Sequence, residues 1–354
     1  MSAVATIDLD ALERNIALAT STIAPADLMM MVKANAYGHG LGPVAAAAAS
    51  SGVPWLGVLD RTSALTVRSM SALDDTRLFT WLFDYDEDFG DLIENRVDLG
   101  ISHVRQLDRI AAAAASQPAR VHLKIDTGLH RSGASEADWP SVVARAVELH
   151  SLGLVDFVGV WTHIGEASDD DDTAAMRNFD RALEVVSDLG GAPSVRHLAA
   201  SAAGFARTDS RYDAVRVGAF TYGIAPGGGV TPQSLGLTPV MTLTSEVVGV
   251  RHHGAASIAT VAAGFVDGVL GDAADRVDVS VAGARHRLIG PVRATEVDVD
   301  VTGSDVRVGD DAVLFGSASD GAPTLQEWAD AMGTIGEEIV VRLSPDLERH
   351  YRRA

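Results

Sequence analysis

The chain has no cysteine, which excludes disulfides, thiolate metal sites and cysteine nucleophiles and permits a reducing compartment. Positive charge is scarce. Against 48 Asp plus Glu there are 28 Lys plus Arg, a formal net charge of -20 over 354 residues, which argues against a phosphate-neutralising surface and hence against a nucleic-acid partner. Lysine is scarcest: it occurs only at Lys33 and Lys124, so 26 of the 28 basic residues are arginine. No apolar run approaches a membrane span, and MSAVATIDLDALERN carries acid where a secretory signal needs a basic start and an apolar stretch. These absences describe a soluble, cytoplasmic protein with no membrane partner. Apolar residues are plentiful, 47% against 21% charged, enough for a full core in one large domain plus a smaller one.

To about residue 230, short apolar runs alternate with longer helical patterns. LMMMVKANA, WLGVLD, TRLFTWL, DLGISH, RVHLKIDTG, FVGVWTHIG, SVRHLAAS and AVRVGAFTYG read as strands. ALERNIALATS, GPVAAAAASSG, DFGDLIENRV, VRQLDRIAAAAASQ, WPSVVARAVELHSLG and DTAAMRNFDRALEVVSDLG have helical spacing. Eight buried strands alternating with helices predict an α/β fold, a (β/α)8 TIM barrel over 1–230, with chemistry at the C-terminal ends of the strands. The connector PGGGVTPQS at 226–234 leads into a β-rich domain over 231–354, with strands in MTLTSEVVGV, SIATVAAG, VDVSVAG, RHRLIG, TEVDVDV and DAVLFG, a helix in TLQEWADAMG and a last strand in EEIVVRL. Four aspartates at 169–172 read as acid at a helix start, where it interacts favourably with the dipole. No metal site is expected.

Lys33 ends a strand that is apolar on both sides. Burial there lowers an amine's pKa and suits it to form an imine with a carbonyl ligand, whereas a purely structural lysine would pair its head with a carboxylate. GHGLG at 38–42 lacks the spacing of a dinucleotide loop and reads as a turn beside Tyr37. KIDTGLHRSG ends a strand with Lys124, Asp126 and Arg131; VWTHIG with His163; RHLAASAAG with His197 and Ser201; VRVGAFTYG carries Arg216 and Gly218. Each alone has an ordinary structural use as a core histidine, an ion pair or a helix cap. Together they gather polar groups on one rim.

From TIDLDALERN to GTIGEEIVVRLSP the chain resembles the alanine racemase family, most specifically in VKANAYGHG, KIDTGLHRSG, RVGAFTYGIAP and GFVDG at 264–268. The resemblance implies a pyridoxal 5'-phosphate enzyme, with a barrel followed by a β domain, that interconverts the L and D forms of alanine or another small amino acid. It implies that Lys33 bonds the cofactor; that Tyr37, Ser201, Gly218, Ala219 and Tyr222 lie near its phosphate; that Arg216 faces the pyridine nitrogen and His197 holds Arg216; and that Arg131 and His163 line the site. Lys124 falls where the family often has a lysine that is carbamylated to hold the arginine. It also implies a head-to-tail homodimer with shared active sites.

The second catalytic base of the family is a tyrosine in the β domain, and here the chain departs from the pattern. Its tyrosines are Tyr37, Tyr85, Tyr212, Tyr222 and Tyr351, and the segment that should hold the base is shortened to EVVGVRHHGAASIATVAAG. His253 is the nearest substitute, ahead of His252 and Arg251, because histidine titrates near neutrality; the other use of that segment is an exposed hairpin tip. Ala294 and Thr295 stand where the family has a Met-Asp pair, and Glu337 stands where a tyrosine meets the phosphate. Arg293, Glu296 and Glu337 suggest a pocket more polar than alanine needs. Two alternatives follow: a different outcome on the same scaffold (epimerisation, decarboxylation or one-sided α-proton exchange), or a non-catalytic protein that binds the cofactor.

Overall fold

The computed structural model describes residues 3–114, 117–166, 168–318 and 321–353. The chain forms two compact units, one of Ala19–Lys33 and Ala48–Gly218, the other of Met1–Leu18, Ala34–Ala47 and Ala219–Ala354. Strand β1 (Val4–Asp8) belongs to the second unit.

The first unit is the eight-stranded parallel barrel expected from the alternation of strands and helices. Its strands are β2 (Asp27–Met31), β3 (Trp55–Gly57), β4 (Arg77–Thr80), β5 (Asp98–Ile101), β6 (Ala119–Lys124), β7 (Val155–Trp161), β8 (Val195–His197) and β9 (Ala214–Val217). They run in the order β8-β7-β6-β5-β4-β3-β2-β9. The ring is drawn shut where Asp213 N donates to Arg196 O (3.0 Å) and Arg216 N to Ala199 O (3.1 Å). Met29 and Met30, fully buried, show why β2 is apolar on both sides.

The helices follow the 3.6-residue patterns, with ends trimmed. The pattern over 104–117 forms a helix at Val104–Ala113, and its residues 115 and 116 lie outside the described residues. The four aspartates open the helix Asp169–Asp188, capped by the Ser168 side chain accepting from Asp171 N. Among the described residues no helix is long and apolar enough to cross a membrane, and none form a metal-ligating cluster.

The second unit is built on antiparallel strands β10 (Met241–His253), β11 (Ala256–Val261), β12 (Asp278–Val281), β13 (Ala284–Ile289), β14 (Val297–Asp300) and β15 (Asp311–Phe315). β11 pairs with both β14 and β10, which closes these six into a ring. On β10 lies β1, antiparallel, and on β1 the last strand β16 (Glu348–Arg352), parallel. The strand expected in EEIVVRL is instead a helix, Gly336–Val341. Two glutamates in its first turn favour the helix dipole, and the helix buries Gly336, Ile339 and Val340. β-branched content alone misread the segment.

A left-handed turn follows Lys33. Ala34, Asn35, Ala36 and Tyr37 all have φ between 51° and 54°, and Gly38 has 76°. Each non-glycine residue there costs about 1–2 kcal/mol, so the turn needs support from its own unit. Gly38 N donates to Ala34 O (2.9 Å) and Gly40 N to Asn35 O (2.9 Å). Arg349 Nε donates to Gly38 O (2.7 Å) and Tyr351 Oη to His39 O (3.1 Å), so the last tyrosine of the chain is a clamp on this turn. A Cβ on Gly38 would stand 2.1 Å from the Val340 carbonyl oxygen. Gly38→Ala therefore combines a disfavoured φ with a backbone collision and should lose about 3 kcal/mol or more of stability. Chemical denaturation reads this, and an unchanged midpoint would show that the turn is not held as described.

Candidate active site

Within the barrel unit the polar groups stand at the C-terminal ends of the strands. Lys33 follows β2 by two residues, Lys124 ends β6, His163 follows β7, His197 ends β8, Arg216 is the last residue but one of β9, and Gly218 follows β9. Ser201 opens the short helix Ser201–Ala206, and its Oγ accepts from Gly218 N at 3.1 Å.

Arg216 is the hub. Its Nη1 donates to His197 Nδ1 (3.0 Å) and His197 O (3.1 Å), and its Nη2 to Thr162 O (2.7 Å), Leu198 O (2.9 Å) and His163 Nδ1 (3.2 Å). All these acceptors are neutral. Burial therefore pushes the guanidinium down to about 9, against the pull of Glu166, which leaves it charged at neutrality. Burial, followed by Arg216, Arg131, Lys124 and Lys33, drives His163 down to about 2, so this ring is neutral. His197, fully buried, is likewise held far below its ordinary value by burial, Arg216 and His122.

Lys124 hydrogen-bonds Ser132 Oγ and lies 4.5 Å over the Trp161 ring. Burial, then Arg216 and Arg131, lower its amine to about 8, with Asp126 opposing. A fraction of this lysine is thus neutral near physiological pH, as carbamylation requires. Arg131 is exposed on the same loop.

Tyr37, Ala219, Tyr222 and His253 belong to the second unit. The Tyr37 and Tyr222 rings lie 4.9 Å apart, and burial raises both phenols, so both stay protonated. Asn15 fixes the turn Ala219–Tyr222, donating to Thr221 O (3.2 Å) and Thr238 O (2.7 Å) and accepting from Thr238 N (2.9 Å). His253 stands exposed at the tip of the β10–β11 hairpin, opposite Ala256, which is the structural use open to it from the sequence. Arg251 and Arg293 are engaged in ion pairs with Asp298, Arg293 also with Glu296. These charges are thus spent on one another within the β unit.

Two buried residues escaped the sequence reading. His122 in β6 and Asp98 in β5 continue inward from His197. The signal was present: each is a polar side chain in a buried barrel strand, Asp98 opening β5 and His122 in the middle of β6, and Gly159 on β7 makes the room that His122 fills.

A parallel barrel with these polar groups at the C-terminal ends of its strands, followed by a closed antiparallel β unit, has the architecture of a barrel enzyme. The family model for the alanine racemase N-terminal domain matches residues 7–226, and that for the alanine racemase C-terminal domain matches 249–351. The alanine racemase of Thermobifida fusca (strain YX) is 39% identical over 99% of this chain and 98% of its own length; that of Beutenbergia cavernae is 38% identical over 98% and 96%. Among solved structures, alanine racemase from Streptomyces coelicolor A3(2) superposes with a TM-score of 0.97 at 34% identity, covering 100% of this chain and 98% of that one. The enzyme of D-cycloserine producing Streptomyces lavendulae gives 0.95 at 35%, with the same coverage. The chain belongs to the alanine racemase family.

Proposed function

We propose that this chain is a pyridoxal 5'-phosphate-dependent alanine racemase that interconverts L- and D-alanine, and that it works as a cytoplasmic, head-to-tail homodimer. The carrying observation is the rim of the barrel, where one of the only two lysines ends a doubly apolar strand and shares that rim with a buried, cationic Arg216. The donor set suits the cofactor. Lys33 offers an amine to its aldehyde, Arg216 a donor to its ring nitrogen, and Gly218 N with the Ser201 hydroxyl donors to its phosphate; Tyr37, Ala219 and Tyr222 are assigned to the phosphate side by resemblance. Exposed Phe265 (59%) and Val266 (52%) in GFVDG offer apolar surface for a partner copy.

The chemistry the cofactor would supply is withdrawal of electrons from the Cα of a bound amino acid, which would acidify its proton. Lys33 then moves that proton on one face. Arg216, a poor proton donor, would hold the ring nitrogen without protonating it, which would moderate the electron pull and favour return of the proton over side reactions. By resemblance Arg131 and His163 line the site beside the cofactor ring, His163 as a neutral ring. Inversion needs a second group on the opposite face. The lack of tyrosine from residue 223 to 350 favours one alternative, exchange from a single face without inversion.

The test incubates the purified protein and pyridoxal 5'-phosphate with L-alanine and resolves the enantiomers. D-alanine should accumulate to equality; L-alanine left uninverted with a bound, coloured cofactor would remove racemisation and leave single-face exchange or a binding role. As substitute base, His253 should matter by orders of magnitude. His253→Ala should lower inversion by about a hundredfold if histidine serves, and an unchanged rate would remove His253 from the account.

A further inference from the structure

Behind Arg216 the barrel interior carries a file of buried polar groups. His197 Nε2 lies 3.0 Å from His122 Nδ1, and His122 Nε2 lies 3.2 Å from Asp98 Oδ2. All three residues are fully buried. Asp98 ends the file and is paired with Arg77 and Arg120. Burial raises its carboxyl, but His122, Arg120 and Arg77 outweigh that and hold it below the usual carboxylate range. His122 is lowered by burial against the pull of Asp98, and we take it as a neutral donor.

Only one set of proton positions satisfies every link. Arginine donates and never accepts, so His197 Nδ1 must accept and its proton sits on Nε2. His122 Nδ1 must then accept that proton, which places its own on Nε2, facing a carboxylate that only accepts. Any other tautomer sets donor against donor or acceptor against acceptor at a buried link, which costs about 1–3 kcal/mol.

The seat is shaped for this file. A Cβ on Gly159 would stand 2.2 Å from His122 Nδ1. Trp55 meets the His122 ring edge-on at 5.6 Å, Phe79 flanks it at 5.1 Å, and Trp161 stacks parallel on His197 at 5.6 Å.

We propose that His122 and Asp98 are positioning residues for Arg216: the chain Arg216 to His197 to His122 to Asp98 has fixed polarity, and the carboxylate at its end orients both rings and strengthens His197 Nδ1 as the acceptor that holds the guanidinium at the barrel mouth. The polarisation travels along the file because each donor becomes a better acceptor at its other nitrogen. The inference deepens the reading of Arg216 given above and rests on it for its catalytic consequence, but not for its chemistry.

The experiment uses protein labelled with 15N in histidine, loaded with pyridoxal 5'-phosphate, as wild type, His122→Phe and Asp98→Asn. In wild type, His122 and His197 should both show the Nε2–H tautomer, with ring protons shifted far downfield and protected from exchange. In His122→Phe the His197 proton should move upfield and lose protection, and in Asp98→Asn both rings should respond. A second readout is the ratio of pyruvate released to alanine inverted. Pyruvate forms when alanine passes its amino group to the cofactor, which becomes the amine, and water supplies the keto oxygen. A loosened Arg216 should raise that ratio by about tenfold, and a ratio is indifferent to the fraction of protein folded. If His122→Phe does not fold, Asp98→Asn carries the test. An Nδ1–H tautomer at either histidine in wild type, or variants that keep both the wild-type His197 resonance and the ratio, would overturn the inference. Wild type that inverts no alanine would instead remove the functional reading and leave the resonances to decide the file.

Discussion

Lys33→Ala should leave a folded protein that no longer develops the visible absorbance of lysine-bound pyridoxal phosphate and inverts alanine at least about a thousandfold more slowly. The residue stands half-buried at the end of β2, just before the left-handed turn, and no other strand end of the barrel offers a lysine except Lys124. Lys124 cannot take over, because it is committed to Ser132 and the Trp161 face. Added methylamine should restore part of the rate if Lys33 acts through its amine. Full activity in the variant would remove the lysine from the chemistry altogether.

Arg216→Gln should be the second most damaging change, and it should act on two observables at once. The guanidinium serves three backbone carbonyls and two ring nitrogens, and an amide of two donors leaves several of them unmet. At about 1–3 kcal/mol for each stranded group, partly offset by the relief of a buried charge, a stability loss of about 2–4 kcal/mol is expected. Inversion should fall by about a hundredfold to a thousandfold, with pyruvate release rising relative to it. Arg216→Lys keeps the charge but not the fork, so it should recover stability only in part. A variant as stable and as selective as wild type would show that Arg216 is not the hub described.

Much of this was legible from the amino-acid order. The eight barrel strands lie in the eight apolar runs, because a strand covered on both faces must be apolar throughout. The rim residues were legible because each is a polar interruption at a strand end. β1 was not read as a strand of the β sheet, since the five residues Val4–Asp8 gain their place only by pairing with β10 and β16, more than two hundred residues away. EEIVVRL misled for the opposite reason: its β-branched residues favour a strand locally, while the burial of one helical face decided the outcome. Asp98 and His122 were passed over because strand patterning does not say which polar residues of a strand face the barrel interior, and only the three-dimensional file gives them partners.

The most direct test of the account is to supply L-alanine to the cofactor-loaded enzyme in deuterated water and follow both enantiomers together with deuterium at Cα. The account predicts D-alanine carrying solvent deuterium at Cα, rising until the two enantiomers are equal. Deuterium entering L-alanine while no D-alanine forms would contradict it, because it would show that protons come and go from one face alone.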